Sequence, residues 1–361
     1  MNLEYLGLLW LFPNVVIGVL ATSPFLILWI IWRLVTFILP GYIYQIGDDW
    51  LFGLYQRYIC FTIENYNGLK LFISGDVEDF LAQRGSSICI NNHLSFIDFL
   101  TVEMLAVRQN TINQVRYIMK EEIKWLPVYG WYFPFHSCVF VKRSRKISDV
   151  IQISNQMATF VEEKIPVFLT IFPEGTRYDS SKEALIAQHR AYAAANKLPV
   201  LRRCLNPRIK ATALAIRGLR NHASYLYDLT LAYSPANVPP TLMNVLLRKV
   251  KSVHVNVRQI PLAQLPTDND AIQQWLFQSF QRKDKLLDRF YSPDSVEFET
   301  LADGEAIAPS SFMYNFKGVV FWCLSLVIIL GTEMGRYIFV RSWPLMFIGG
   351  YTFTVISHII L

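Results

Sequence analysis

The sequence predicts an α/β fold: a partly parallel central sheet flanked by helices, with N-terminal membrane helices and a C-terminal helical membrane hairpin. Three observations predict it. Short β-rich runs alternate with helical patterns through the middle of the chain, the signature of strands joined by helical crossovers. Long uncharged stretches are confined to the two ends. The 361 residues leave room for one globular domain of roughly 200–250 residues between them. The hydrophobic fraction of 53% lies above, and the charged fraction of 17% below, the usual share for a soluble domain.

The N-terminal run, Tyr5 to Trp32, contains no charge, and after Arg33 the chain is uncharged again from Leu34 to Gly47. As helix the first run reaches roughly 42 Å, beyond the hydrocarbon thickness of about 30 Å. Pro13, Pro24 and Pro40 predict kinked or re-entrant helices instead of one straight span. A cleaved secretory leader needs a basic segment before its apolar core, whereas this chain opens Met1-Asn2-Leu3-Glu4. Leu51 to Ile63 is also apolar, but Arg57 in its middle assigns it to the membrane interface.

Strands are expected at Leu69–Ser74, Ile88–Ile90, Val115–Met119, Val139–Val141, Val167–Ile171, Ile209–Ile216, Leu226–Tyr233 and Val253–Ile260. Helices are expected at Phe96–Val107, Ile147–Lys164, Ser181–Asn196 and Asp270–Phe290, the last with Trp275, Phe280 and Leu287 on an apolar side. At the C-terminus, Phe312 to Thr332 carries only Lys317, and Ser342 to Leu361 only His358, with Glu333 to Arg341 between them as the bend of a hairpin. The resulting division is residues 1–50 for membrane anchoring, 51–291 for the α/β domain, 292–311 for a linker and 312–361 for the hairpin.

The five cysteines are scattered, odd in number and without C-x-x-C spacing, which argues against a disulfide framework and a zinc cage. There is no N-x-[ST] sequon, compatible with a domain facing the cytosol. Arg33 after the first run favours the same side, while Arg336 and Arg341 confuse the count. The net charge of +6 gathers in clusters at residues 142–146, 202–203, 208–210 and 248–251, which suit anionic headgroups or phosphorylated ligands. No nucleic-acid-binding motif accompanies them.

Two turns carry candidate chemistry. The run Ile88 to Asp98 breaks from an apolar strand into a helix and bears His93 and Asp98. A neutral imidazole can remove a proton from a hydroxyl, and a carboxylate on its other ring nitrogen fixes the tautomer. Five residues is not the spacing of one helical face, so His93 belongs in the turn before the helix and Asp98 in its first turn, with Ser95 to Asp98 as a capping box. The bland alternative is a helix start with His93 a bystander; a similar pairing of His222 with Asp228 lacks any companion motif.

The second turn, Phe172-Pro173-Glu174-Gly175-Thr176-Arg177, again follows an apolar run. Gly175 permits close backbone approach, Arg177 offers a fork for a phosphate, and Glu174 is assigned either to the acceptor or to holding Arg177. Between them lie Lys120 and, just after the strand ending at Val141, Arg143 as a further phosphate candidate. Each of these reads equally as an ordinary charged strand end when taken alone.

In order and together these segments resemble the glycerophospholipid acyltransferases, the lysophosphatidic acid acyltransferase family, whose motifs are a histidine–x4–aspartate pair, a G-x-x-F-x-x-R segment and F-P-E-G-T-R. The first and third are matched in full; the second lacks its glycine before Phe140, so only Arg143 carries over. Leu198-Pro199-Val200 matches the fourth element loosely. Lys124 to Gly130, Val141 to Ser144 and Asn206 to Thr212 are most similar to the epsilon-type 1-acylglycerol-3-phosphate acyltransferases. The resemblance spans residues 50–290 and implies a glycerol-phosphate acyltransferase-like fold.

It also implies acyl transfer from acyl-CoA, as co-substrate, to the sn-2 hydroxyl of 1-acylglycerol 3-phosphate, giving phosphatidic acid. His93 would be the base and Asp98 its orienter. Arg177, Arg143 and Lys120 would hold the acceptor phosphate on a turn shaped by Glu174, Gly175 and Thr176. No bound cofactor, metal or nucleic acid is implied. The expected partners are lysophospholipid, acyl-CoA and the bilayer. The expected location is the endoplasmic reticulum membrane with a cytosolic catalytic domain, mitochondrial and nuclear envelope membranes being alternatives. Rival readings are acylation of lysocardiolipin or lysophosphatidylinositol, a lipid hydrolase, for which no G-x-S-x-G elbow exists, and a non-catalytic lipid-binding protein.

Overall fold

The computed structural model describes residues 3–142, 147–292 and 300–360. Eight strands form one sheet: β1 Lys70–Gly75, β2 Ser87–Asn91, β3 Val115–Lys120, β4 Val139–Val141, β5 Phe168–Ile171, β6 Tyr225–Ser234, β7 Ser252–Pro261 and β8 Ala306–Ile307. The helices are α1 Leu3–Val35, α2 Gly41–Cys60, α3 Val77–Ala82, α4 Asp98–Arg108, α5 Tyr129–Tyr132, α6 Ile147–Glu162, α7 Glu183–Ala195, α8 Ile209–Gly218, α9 Leu242–Leu246, α10 Asn269–Phe290, α11 Phe312–Gly331 and α12 Glu333–Ile360.

Strand order is β4-β3-β5-β2-β6-β7-β1-β8. The first five strands run parallel; β6 and β7 pair antiparallel, β7 and β1 parallel, and β1 and β8 antiparallel. The carboxyl ends of β2, β3, β5 and β6 therefore share one edge, where open α/β sheets place their ligands. Strand β2 is buried along its whole length, as a parallel interior strand must be.

Alternation splits the sheet into two faces. Cys89, Val115, Phe168, Tyr227 and Leu229 belong to a core shared with α2 and α4. Ile88, Ile90, Leu169, Ile171 and Leu226 belong to a second core with α6, α8 and α10. Helix α6 presents Ile153, Met157 and Phe160 at helical spacing. Helix α10 is capped by Asp268, whose carboxylate accepts the amides of Asp270 and Ala271 at 3.0 Å each.

Two sequence expectations are corrected, at Ile209–Ile216 and in the 292–311 segment. Ile209–Ile216 is helix α8, not a strand: its apparent alternation is made largely of alanines, good helix formers, and Thr212, Ala213, Ala215 and Ile216 are its buried face. Leu51–Ile63 lies within α2 and the turn after it, packed against α1, α4 and α11. Arg57 is buried there and donates to the Tyr314 carbonyl at 3.0 Å and to Asn110 Oδ1 at 2.7 Å. The 292–311 segment contributes β8 to the sheet edge, a dipeptide too short and exposed to be read from pattern.

Among the described residues one helix, Phe312–Gly331, is long and apolar enough to cross a membrane; Leu20–Val35, within α1, is a shorter apolar stretch. Helices α11 and α12 pack as a hairpin, and both touch α1. A buried polar knot joins α2 to the sheet: His136 Nδ1 donates to Asp48 at 2.6 Å, its Nε2 accepts from Arg116 at 2.8 Å, and Arg116 also pairs with Asp49. Ligand atoms of Asp48, Asp49 and His136 lie close enough to share a metal, but the Arg116 guanidinium already supplies the positive charge.

Candidate active site

The site lies at the carboxyl edge of the parallel strands. After β2, Asn92 turns its side-chain amide onto β6, donating to the Leu231 carbonyl at 3.0 Å and accepting the Leu231 amide at 2.8 Å. This mimics one more residue of ladder and fixes where the chain leaves the sheet. His93 follows. Its Nδ1 meets Asp98 Oδ2 at 2.8 Å, the histidine side chain being 21% exposed and the aspartate fully buried. The same Oδ2 accepts the amides of Leu94 (2.7 Å) and Ser95 (2.9 Å), while Oδ1 accepts the Tyr233 hydroxyl at 2.7 Å.

Half of the expected capping box is present, the Asp98 carboxylate reaching back to the Ser95 amide. Ser95 Oγ instead accepts the Ile97 amide at 3.2 Å and contacts the Pro240 carbonyl. With Nδ1 committed to Asp98, Nε2 is the ring nitrogen left for chemistry.

The turn after β5 faces His93. The Phe172 ring lies 4.4 Å from the imidazole, centroid to centroid, and the Tyr178 amide donates to the His93 carbonyl at 2.7 Å. Gly175 has φ +71°, and a β-carbon there would come within 3.2 Å of Arg208 Nε, so the turn needs a residue without one. A cleft of about 370 Å³ is lined by His93, Phe172, Gly175, Thr176, Arg177 and Lys120 together with Lys182. Its other wall is apolar: Phe96, Phe99, Met119, Ile123, Tyr129 and Phe133. One opening therefore offers a proton acceptor, three cations and a hydrocarbon wall.

Of the residues singled out in sequence, His93, Asp98, Gly175, Thr176, Arg177 and Lys120 converge on this cleft. Arg143 lies outside the described residues. Glu174 does not face the cleft, so the assignment to the acceptor, or to holding Arg177, gives way to another role. It is fully buried, with Oε1 accepting the His93 amide and Oε2 the Leu205 amide, both at 2.8 Å. Glu174 thereby clamps the His93 loop to the 198–208 segment. Burial pushes its carboxyl up to about 8, with the two amides pulling the other way.

Tyr233 and Lys182 escaped the sequence reading. Tyr233 lies 135 residues from Asp98. It ends an expected strand, so the rule that ligands gather at carboxyl ends of strands was the one available pointer. Lys182 sits immediately before α7, with nothing local to mark it.

Known proteins are similar over most of the chain. Residues 76–216 match the family model described as Acyltransferase, and residues 244–321 match the one described as Acyltransferase C-terminus. The 1-acyl-sn-glycerol-3-phosphate acyltransferase epsilon of Mus musculus is 32% identical, the match covering 92% of each chain. The probable 1-acyl-sn-glycerol-3-phosphate acyltransferase 5 of Arabidopsis thaliana is 31% identical over 68% of this chain and 63% of its own. The delta enzyme of Homo sapiens is 31% identical over 64% of this chain and 61% of its own.

Proposed function

The chain belongs to the 1-acyl-sn-glycerol-3-phosphate acyltransferase family, and from that premise we propose that it moves an acyl chain from acyl-CoA to the sn-2 hydroxyl of 1-acylglycerol 3-phosphate, yielding phosphatidic acid and free CoA. The observation that carries the reading is the His93–Asp98 pair at 2.8 Å, opening onto the same cleft as Arg177 and Lys120.

His93 Nε2 takes the proton of the sn-2 hydroxyl as its oxygen attacks the thioester carbonyl carbon. Asp98, fixed by Leu94, Ser95 and Tyr233, holds the ring and stabilises the imidazolium. Collapse of the tetrahedral adduct breaks the carbon–sulfur bond, and the proton passes from His93 to the departing thiolate. No serine or cysteine nucleophile is needed, so no acyl-enzyme forms. Arg177 and Lys120, joined by Lys182, bind the acceptor phosphate; Gly175 and Thr176 shape the turn beneath it. The aromatic and aliphatic wall takes hydrocarbon.

Donor and acceptor tails are insoluble in water, so the reaction belongs at a membrane surface. We place the protein on the endoplasmic reticulum membrane, attached through its terminal helices, with the catalytic domain facing the cytosol. The exposed apolar faces of α11 and α12 and the absence of disulfides among the described residues support this. The test is thiol release from acyl-CoA by purified protein with several lysophospholipids offered in parallel. Lysophosphatidate should be used at least tenfold better than lysocardiolipin or lysophosphatidylinositol, about 1.4 kcal/mol in transition-state binding. Preference for either of the others would move the reaction to that acceptor, and no release with any would refute acyl transfer.

A further inference from the structure

A second basic hollow, of about 590 Å³, opens beside the cleft, lined by Tyr178, Arg190, Val200, Arg202, Arg203 and Asp288. We propose that it seats the phosphorylated nucleotide end of the acyl donor, an inference that rests on the acyl-CoA reading above.

The hollow is built, not incidental. Tyr178 directly follows Arg177, and its amide holds the His93 carbonyl at 2.7 Å, so the hollow begins where the catalytic turn ends. Its hydroxyl donates to the Arg202 carbonyl at 2.8 Å. The backbone bearing the two adjacent arginines is clasped by the Asp284 carboxylate, which accepts the amides of Arg202 (2.9 Å), Arg203 (2.6 Å) and Cys204 (3.1 Å). The next amide, Leu205, goes to Glu174, whose other oxygen holds His93. A string of buried carboxylates thus fixes the arginines relative to the proton acceptor.

The chemistry of the lining selects the ligand. Three guanidinium groups stand against the single carboxylate of Asp288, which pairs with Arg203 at 3.2 Å and Arg202 at 3.6 Å. Guanidinium forks match phosphate oxygens bidentately and stack on flat rings. Val200, 51% exposed, adds an apolar seat for a base. The acceptor has one phosphate, and the cleft already holds Arg177, Lys120 and Lys182 for it. The donor of the proposed reaction carries a diphosphate, a ribose phosphate and an adenine, at the far end of an arm whose thioester must reach His93. A guanidinium-rich hollow that begins at the residue after Arg177 suits that end of the donor.

The experiment compares the full-length protein with an Arg190→Gln/Arg202→Gln variant; both side chains are exposed, so folding should be untouched. KM for acyl-CoA should rise at least tenfold, about the cost of one lost charge-assisted contact, with kcat and the KM for lysophosphatidate within a factor of about two. Wild type should prefer acyl-CoA to acyl-pantetheine, which lacks the nucleotide, and the variant should lose that preference. An unchanged KM for acyl-CoA overturns the proposal, as does a variant that loses only affinity for vesicles containing anionic lipid. If wild type transfers nothing from acyl-CoA, the enzymatic reading falls separately. Titration with adenosine 3′,5′-bisphosphate then decides the site: binding lost in the variant upholds it, and equal or absent binding overturns it.

Discussion

Glu174→Gln separates a clamp from a substrate contact. In the wild type each carboxylate oxygen accepts one backbone amide, from His93 and from Leu205, at 2.8 Å. Glutamine has nearly the same shape but only one acceptor oxygen, so its NH2 must face the second N–H donor. One buried amide is left unpaired, which costs about 1–3 kcal/mol. That loss should lower Tm by several degrees, taking roughly 2–4 °C per kcal/mol for a domain of this size. The His93 loop then loosens, and since a displacement of about 1 Å in a catalytic group costs on the order of 100-fold, kcat should fall about 10- to 100-fold. KM for lysophosphatidate should barely move.

The pH dependence supplies an independent check. Burial raises the Glu174 carboxyl from 4.5 to about 8, so the folded state holds that proton more tightly than the unfolded chain. The associated stability is fully present below pH 4.5 and is lost as pH rises through about 8. Glutamine has no proton to lose, so the Tm gap between wild type and variant should narrow across that window. A raised KM for lysophosphatidate with kcat intact would refute the clamp and return Glu174 to the acceptor.

Other substitutions probe neighbouring links. Tyr233→Phe removes the partner of Asp98 Oδ1 while leaving the three contacts on Oδ2. With a charge-assisted bond worth about 1.5–3 kcal/mol, kcat should drop at least tenfold in a folded protein; wild-type kcat would show that Tyr233 does not support the pair. Gly175→Ala forces a β-carbon onto a backbone at φ +71° and toward Arg208. It should lose about 1 kcal/mol or more in thermal melts and raise KM for the acceptor through the displaced Arg177.

The two candidate site motifs are legible in the sequence because each is local. His93 and Asp98 are five residues apart and straddle a strand–helix junction that the apolar run and Ser95 announce. Phe172 to Arg177 follows a buried strand, and the parallel register of β2 with β5 sets the two turns side by side. What escaped was non-local. The Tyr233 hydroxyl reaches Asp98 only because β6 pairs with β2, and Glu174 meets Leu205 only because the 198–208 segment folds back under the site. Local pattern misled at Ile209–Ile216, where alanines at alternate positions fit either period and packing under the sheet chose the helix. Arg57 reads from sequence as a charge for the membrane interface; in the fold its guanidinium is bonded to the Tyr314 carbonyl on α11 and to Asn110 Oδ1, partners that local pattern does not show.

The central claim is that His93, oriented by Asp98, accepts the proton of the acceptor hydroxyl. Its most direct test is acyl-CoA thiol release by His93→Ala with lysophosphatidate, on protein whose melting matches wild type. General-base catalysis is worth about 10²–10⁴-fold, so release should fall by at least 100-fold. Release within a few-fold of wild type would contradict the account.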